Sequence, residues 1–428
     1  MTRTATLATG IDSPAARNFA WLATDKVASM LLGLLVFGLI ARRYGPVGSG
    51  HYAYALTLLQ TALGMSLVCG AAALLPRIAR MRRGVIGALA NVFVVRLLGS
   101  LAAALLVAVY AWLAIDDPTR LRVALILIAA APLLEPFAAV AMFWQSRNDN
   151  RIPVAVRCTG LAVRCLLVAV AVAYGAPLWV PALAWLTEAA LVAALQTRSA
   201  AVIGTWREFA ARVSAWRAAH YFRFGARFLP GIVLGQVFLR GDRLLLAHLL
   251  SPHEFGIYAT AMQLVDVWIQ VAHLISVSIG PAYLYAALAR SRGLLPHRRT
   301  IAALAGIGLA GFAAVALLGR PLIGAIFGAR FDASFPYMLA GMAFAVLAFV
   351  DVFVTISIAV RRLPGALAAK WGVSAAAAIA SQLELFPILN AYAGPAGLAI
   401  GLACGWAALL LYARNGRATV GAAMRALR

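Results

Sequence analysis

Apolar runs, each about the length that crosses a bilayer, follow one another along this chain with only short polar breaks between them. Twelve are predicted as membrane-spanning helices. In the first half they are 19–40, 51–75, 85–113, 121–145, 152–173 and 178–197. In the second half they are 224–246, 255–288, 300–318, 333–360, 365–385 and 395–413. About 20 helical residues span the hydrocarbon, so the longest runs must tilt or protrude. No stretch remains for an extramembrane domain. The longest connector, residues 198–223, sets Trp206, Phe209, Val213 and Trp216 among five arginines. That pattern is amphipathic and basic, and is expected to lie on the membrane surface.

The polar breaks contain a repeat. Ala41-Arg42-Arg43-Tyr44-Gly45-Pro46 is followed by Gly50-His51-Tyr52-Ala53-Tyr54-Ala55. Further on, Ala247-His248-Leu249-Leu250-Ser251-Pro252 is followed by Gly256-Ile257-Tyr258-Ala259-Thr260-Ala261. The first alanine, the proline, the glycine, the tyrosine at Tyr52 and Tyr258 and two later alanines pair at a constant offset of 206, close to half of 428 residues. Each copy joins two apolar runs, so a helix pair recurs. The expectation is an all-α polytopic membrane protein with two pseudo-symmetric six-helix lobes, 1–197 and 224–428, joined by the linker 198–223. Transporters commonly carry such repeats, with the substrate site between them.

Composition strengthens this picture. The chain is 64% apolar with a mean hydropathy of +0.89, more than a soluble protein of this size can hide. Its formal charge of +23 comes from short clusters between the spans, which argues against nucleic acid as a partner. Alternate connectors hold 25 of the 37 basic residues, and the opposite connectors hold eight, among them Arg42, Arg43, Arg120, Arg240, Arg243 and Arg330. The positive-inside rule then places both termini in the cytoplasm. Met1–Asp12 lacks the pattern of a secretory signal, so the first span is expected to be retained. Cys69, Cys158, Cys165 and Cys404 include no Cys-x-x-Cys and read as small core residues. Six histidines show no metal-ligand spacing, so neither metal nor cofactor is expected. Catalytic signatures are missing too: there is no Gly-x-Ser-x-Gly, no Asp-x-Asp and no phosphate-binding glycine loop. The chain reads as a transporter rather than an enzyme.

Four basic residues fall inside spans: Lys26, Arg96, Arg164 and Arg227. A charge at a helix centre costs roughly 2.5–3.5 kcal/mol on insertion scales. Such residues are expected to face a partner or a water-filled cavity. Arg164 shares a helical face with Gly160 and Arg157, and Arg96 with Ser100 and Ala103. Small neighbours leave room for a bulky ligand, and a cationic cavity wants an anion. Arginine's planar fork suits phosphate. The four are therefore candidate substrate-binding residues.

Acids are also inside the spans: Asp25, Glu135, Glu188, Asp266 and Asp351. They read equally as counter-ions of the buried cations or as part of a cavity wall, with Glu135 and Glu188 as candidate lining residues. The eighth span carries Gln263, Asp266, Gln270 and His273 at spacings of three, four and three, one polar stripe on an apolar helix. Such a stripe either glues helices together or lines an aqueous path. Burial favours the protonated form of a carboxyl group, so a proton gradient could load and unload Asp266. Asp266 and His273 are the candidate ion-coupling residues, with Asp351 next. Pro132 and Pro136 flank Glu135, and Phe228-Leu229-Pro230-Gly231 opens the seventh span; both are expected bend points.

Two junctions carry a resemblance. Arg17-Asn18-Phe19-Ala20-Trp21-Leu22, with Ala41-Arg42-Arg43-Tyr44-Gly45-Pro46 and Gly50-His51-Tyr52-Ala53, resembles the first helix pair of polysaccharide-export flippases. These are the Wzx-like O-antigen and exopolysaccharide translocases of the multidrug/oligosaccharidyl-lipid/polysaccharide superfamily. Gly241-Asp242-Arg243, then Ser251-Pro252 and Glu254-Phe255-Gly256-Ile257-Tyr258-Ala259, resembles their seventh–eighth helix junction. The resemblance implies two six-helix bundles around a central cavity. It also implies a polyprenyl-diphosphate-linked oligosaccharide as substrate, moved across the bacterial inner membrane beside glycosyltransferase and glycan polymerase partners. H+ or Na+ would be the coupling ion. Two other readings compete: a drug or organic-cation exporter of the same superfamily, and a membrane glycan polymerase or ligase. The excess of intramembrane cations in the first lobe weighs against the exporter, and the short outer loops against the polymerase.

Overall fold

The computed structural model describes residues 14–67, 74, 78–81, 84–147, 149–279, 298–360 and 363–426. Cys69, the far ends of the expected spans 51–75 and 255–288, and Arg3, Arg77, Arg82, Arg83, Arg290, Arg292, Arg361, Arg362 and Arg428 lie outside them. So does Met1–Asp12. The described residues contain no β-strand.

The first half comprises α1 (Pro14–Met65), α2 (Val85–Ala114), α3 (Pro118–Ile128), α4 (Ala131–Leu134), α5 (Ala138–Ser146), α6 (Arg151–Ala173) and α7 (Trp179–Ala200). Two short helices follow, α8 (Trp206–Ala211) and α9 (Ala215–Ala226). The second half comprises α10 (Leu229–Leu249), α11 (Pro252–Ile279), α12 (Arg298–Phe327), α13 (Ser334–Val360), α14 (Pro364–Leu389) and α15 (Ala393–Ala426).

Eight stretches are long and apolar enough to cross a membrane, or ten when two bent pairs are included. Two of the eight hold two crossings each. The stretch Ala20–Met65 reverses at Gly45, whose φ of 68° is open to glycine at little cost. The reversal shows in the rings of Phe37 and Tyr52, 6.3 Å apart. Fifteen residues of straight helix would separate them by about 22 Å. The stretch Pro364–Tyr412 reverses at Asn390, which also has a positive φ. The twelve expected crossings are thereby accounted for.

Prolines bend the chain where expected. Between Pro118–Leu134 and Ala138–Ser146 the axis turns by 42°, at Pro136. Between α9 and α10 it turns by 52°, next to Pro230. The helix that opens the second half is thus broken, with α9 ending at Ala226 and α10 beginning at Leu229. The linker is fixed by Asn91 of α2, whose amide donates to the Arg212 carbonyl at 3.1 Å and accepts from the Ser214 N–H at 2.9 Å. Trp206, Val213, Trp216 and Phe222 remain exposed beside Arg207, Arg217 and Arg223, an amphipathic surface. Leu98, Leu105, Trp112, Leu113, Leu166, Leu317 and Ile388 are exposed on the outer walls, a belt that fits lipid tails.

At the end of the molecule carrying Pro46, the two copies of the repeat lie against each other. A Cβ on Gly50 would sit 3.0 Å from the Pro252 carbonyl oxygen and 3.1 Å from Gly256. One on Gly256 would be driven into the Pro46 carbonyl. Around this contact Arg42 Nε donates to the Ile326 carbonyl at 3.0 Å. Arg120 stacks over the Tyr54 ring at 4.0 Å and donates to the Ala247 carbonyl at 3.3 Å. His248 Nε2 lies 3.2 Å from both the Tyr54 and Tyr110 hydroxyls. The two halves are thus joined at the Pro46 end. The repeated tyrosines anchor their own halves: Tyr52 accepts from Trp185 Nε1 at 2.9 Å, and Tyr258 donates to Asp242 at 2.7 Å.

Candidate functional site

A cavity of about 500 Å³ opens within the first half. Its wall comes from α1, the broken fourth crossing, α6 and α7, and one side is closed by Gln263 and Gln270 of α11. It runs from Tyr52 and Trp185 to Asn150 and Gln196, away from the joined Pro46 end.

Two arginines line it, two turns apart on α6. Arg164 is buried and held: Nη1 lies 2.7 Å from Glu188, and its guanidinium lies 4.0 Å over the Trp185 ring. Its Nε has no hydrogen-bond acceptor. Gly160 makes this pair possible, because α7 comes so close that a Cβ there would lie 2.7 Å from Val192 and 3.1 Å from Glu188. Arg157 differs. Its side chain is 53% exposed, and its one ion-pair contact, to Asp25, measures 3.3 Å. Of the two arginines it is the exposed one.

The other three expected substrate contacts do not line this cavity. Arg96 is buried against Glu135, pairing with its carboxylate and donating to its carbonyl at 2.9 Å. The break at Pro136 brings that residue to α2, and Glu135 alone of the pair reaches the cavity. Lys26 is half-buried beside Asp25, but Asp25 is the one on the wall. Arg227 is exposed at the bend between α9 and α10.

In the second half, Gln263 and Asp266 of the α11 stripe are part-exposed, and Gln270 and His273 are exposed. Asp266 is not a lone acid. Arg240 and Arg243 each donate to it at 2.6 Å. Both arginines, expected in an outer loop, lie inside α10. Arg243 also bonds the Met262 carbonyl at 3.3 Å. Asp242, uncounted among the intramembrane acids, is fully buried there. Asp351 is sealed within the second half: Lys370 approaches it at 2.6 Å, and Trp406 Nε1 donates to it at 2.7 Å. Lys370, expected in a connector, is a fully buried residue of α14.

Sequence reading missed Arg157 as a cavity-lining cation, and Arg240, Arg243 and Lys370 as residues inside helices. Arg157 had a usable signal, its shared face with Arg164. Arg240 had one in its spacing of three from Arg243.

The described helices form two halves joined at the Pro46 end, with the cavity opening inside the first of them, which is the architecture of a polytopic helical membrane protein. Comparison with known proteins places it further. A family model described as polysaccharide biosynthesis protein matches residues 15–283, and the chain belongs to that family. The fold is similar to the lipid II flippase MurJ in an inward closed conformation: TM-score 0.72, 13% identity, covering 92% of this chain and 87% of that one. It is similar to an inward-facing multidrug resistance MATE transporter of the MOP superfamily: TM-score 0.67, 13% identity, covering 94% and 99%. A third similar structure is a mutant form of the MATE transporter VcmN of Vibrio cholerae: TM-score 0.59, 11% identity, covering 95% and 97%. No curated protein matches the sequence. The protein is a multi-pass membrane protein of the polysaccharide biosynthesis family, with a fold similar to these three structures.

Proposed function

We propose that the protein flips polyprenyl-diphosphate-linked oligosaccharides across the bacterial inner membrane by alternating access, for surface or exopolysaccharide biosynthesis. The observation that carries this reading is the Arg157–Arg164 pair on one face of α6, lining a cavity large enough for a headgroup. Arg157 exchanges its single Asp25 contact for a diphosphate oxygen, and Arg164, locked by Glu188 and Trp185, supplies a fixed positive field. Residues 1–197 form the first lobe, 198–223 the linker and 224–428 the second lobe. Glycosyltransferases make the substrate, a glycan polymerase uses the product, and H+ or Na+ drives the cycle.

Orientation follows from the basic connectors: the linker end faces the cytoplasm and the Pro46 end the periplasm. In this assignment the cavity is inward-facing. Reporter fusions at residue 210 and at the C-terminus should read inside, and one at residue 118 outside. A periplasmic C-terminus would overturn the orientation.

The substrate is tested in proteoliposomes with an imposed pH or Na+ difference. Arg157→Ala should weaken binding of a polyprenyl-diphosphate glycan about tenfold, the size of one charge-assisted hydrogen bond. Arg157→Lys should recover part of it, since a point charge keeps attraction and loses the fork. Arg157 is a cleaner probe than Arg164, whose removal strands Glu188. The three carboxylates Asp25, Glu135 and Glu188 on the wall favour one alternative, an organic-cation exporter. Transport of a quaternary ammonium dye, with no binding of the lipid diphosphate, would establish that alternative instead.

A further inference from the structure

Among the apolar side chains that make up most of the cavity wall stand polar groups of two kinds. The charged groups come in pairs: Arg157 with Asp25, Arg164 with Glu188, and Glu135 with Arg96 behind it. A second group of lining residues is neutral. Gln60 of α1, Gln145 of α5, and Gln263 and Gln270 of α11 line the same space. None of these four side-chain amides hydrogen-bonds another described residue, whereas Asn91 and Gln382, on other surfaces, use their amides to fix the fold. An amide has two donors and an acceptor, and one left unused within a membrane protein is costly unless water or a ligand meets it. Structural glue therefore does not explain these four.

Their chemistry specifies what they meet. Each amide both donates and accepts and carries no charge, which matches the hydroxyl and acetamido groups of a sugar. The same wall is poor for an acidic sugar: with Arg157 engaged by the diphosphate and Arg164 paired with Glu188, no lining cation is left for a carboxylate, and Asp25, Glu135 and Glu188 would repel it. The amides also divide between the two halves of the fold. Both arginines belong to the first half, while Gln263 and Gln270 belong to the second. They stand two turns apart, about 10 Å along α11.

We propose that Gln60, Gln145, Gln263 and Gln270 form a glycan-reading wall selective for an uncharged glycan, and that the glycan bridges the two lobes while the diphosphate is held by the first lobe alone. This rests on the lipid-diphosphate reading above. A ligand anchored in one lobe cannot sense how the lobes sit, whereas one that also touches α11 binds best in a single arrangement of the two. The sugar, rather than the anchor, then reports that the cavity is loaded.

The test uses the full chain in nanodiscs and three probes: sugar-free polyprenyl diphosphate, the same lipid carrying a neutral hexose disaccharide, and the same lipid carrying a uronic acid disaccharide. The parent should bind the neutral glycan lipid about tenfold more tightly than the sugar-free lipid, the scale of one or two net hydrogen bonds. The uronic acid lipid should bind no better than the sugar-free one. Gln263→Ala/Gln270→Ala should bind all three alike, at the sugar-free level. Because neither glutamine serves another protein group, the variant should melt with the parent. A neutral-sugar preference that survives in the double variant would overturn the proposal, as would uronic acid and neutral lipids bound equally by the parent. If the parent fails to bind the sugar-free lipid at all, the diphosphate reading fails and this inference falls with it. Sugar-free binding without a sugar preference removes the inference alone.

Discussion

Gly256→Val should abolish export while leaving the protein in the membrane. Gly256 sits where the second copy of the repeat meets the first, and its absent Cβ is space that the Pro46 carbonyl occupies. The obstacle is backbone, held in place by the reversal at Gly45 and by the Ser49 hydroxyl, which donates to the Pro46 carbonyl at 2.9 Å. It cannot swing aside as a flexible side chain would. Overpacking a core typically costs about 1–3 kcal/mol, and a fixed backbone obstacle puts this site at the upper end. About 3 kcal/mol would shift the equilibrium more than a hundredfold against the joined arrangement of the Pro46 end. The alternating-access cycle proposed above passes through that arrangement on every turn, so the variant should accumulate with the Pro46 end open. A cysteine introduced at Ala247, buried where Arg120 of the first half reaches its carbonyl, should become reactive to a membrane-impermeant thiol reagent from outside, while the parent carrying it stays protected. Gly50→Ala should impair export only in part, since its Cβ would meet neighbours at 3.0–3.1 Å. Gly306→Ala, with nothing within 4 Å of the added atom, should export normally. Wild-type export by Gly256→Val would show that the repeat contact is packing and not a gate.

That contact also shows what the sequence made legible. The offset of 206 announced two related halves, and the structure sets the two copies face to face at one end. Crossings were legible because a bilayer imposes one length and one polarity on every span. Proline positions foretold both bends. Side-chain pairing was much less legible. Composition cannot say whether an arginine near a span end lies in a loop or has turned back into the helix, and Arg240, Arg243 and Lys370 were all put outside for that reason. Each is inside because a carboxylate waits there: Asp266 for the two arginines and Asp351 for the lysine. Conversely, Arg96 looked available because Glu135 lies 39 residues away in sequence, and only the break at Pro136 brings them together. Partners across a fold are long-range facts, and hydrophobic periodicity is a local one.

Lys370→Ala should be among the most destabilising single substitutions in the second half. The ammonium group is fully buried and touches both oxygens of Asp351, at 2.6 and 2.7 Å, as well as the Thr355 hydroxyl at 2.7 Å. Trp406 Nε1 completes the set from α15. The cluster ties α13, α14 and α15 together, and the tie is tight: Gly405 admits Ser374 and the Lys370 carbonyl so closely that α14 and α15 nearly touch. Removing one member of a buried ion pair costs about 3–5 kcal/mol, because the other is left as an unmatched charge away from water. Lys370→Ala should therefore lower the melting temperature and the amount of folded protein. Asp351→Asn, which strands the ammonium, should do the same. The double variant Asp351→Asn/Lys370→Met removes both charges and keeps the volume, and it should recover most of the lost stability. Transport by that double variant decides what the pair is for. The cluster lies apart from the cavity and its charged atoms are sealed, so transport should return together with stability, and still respond to the imposed ion gradient as the parent does. A variant that folds like the parent but no longer responds to the gradient would instead make Asp351 a coupling residue.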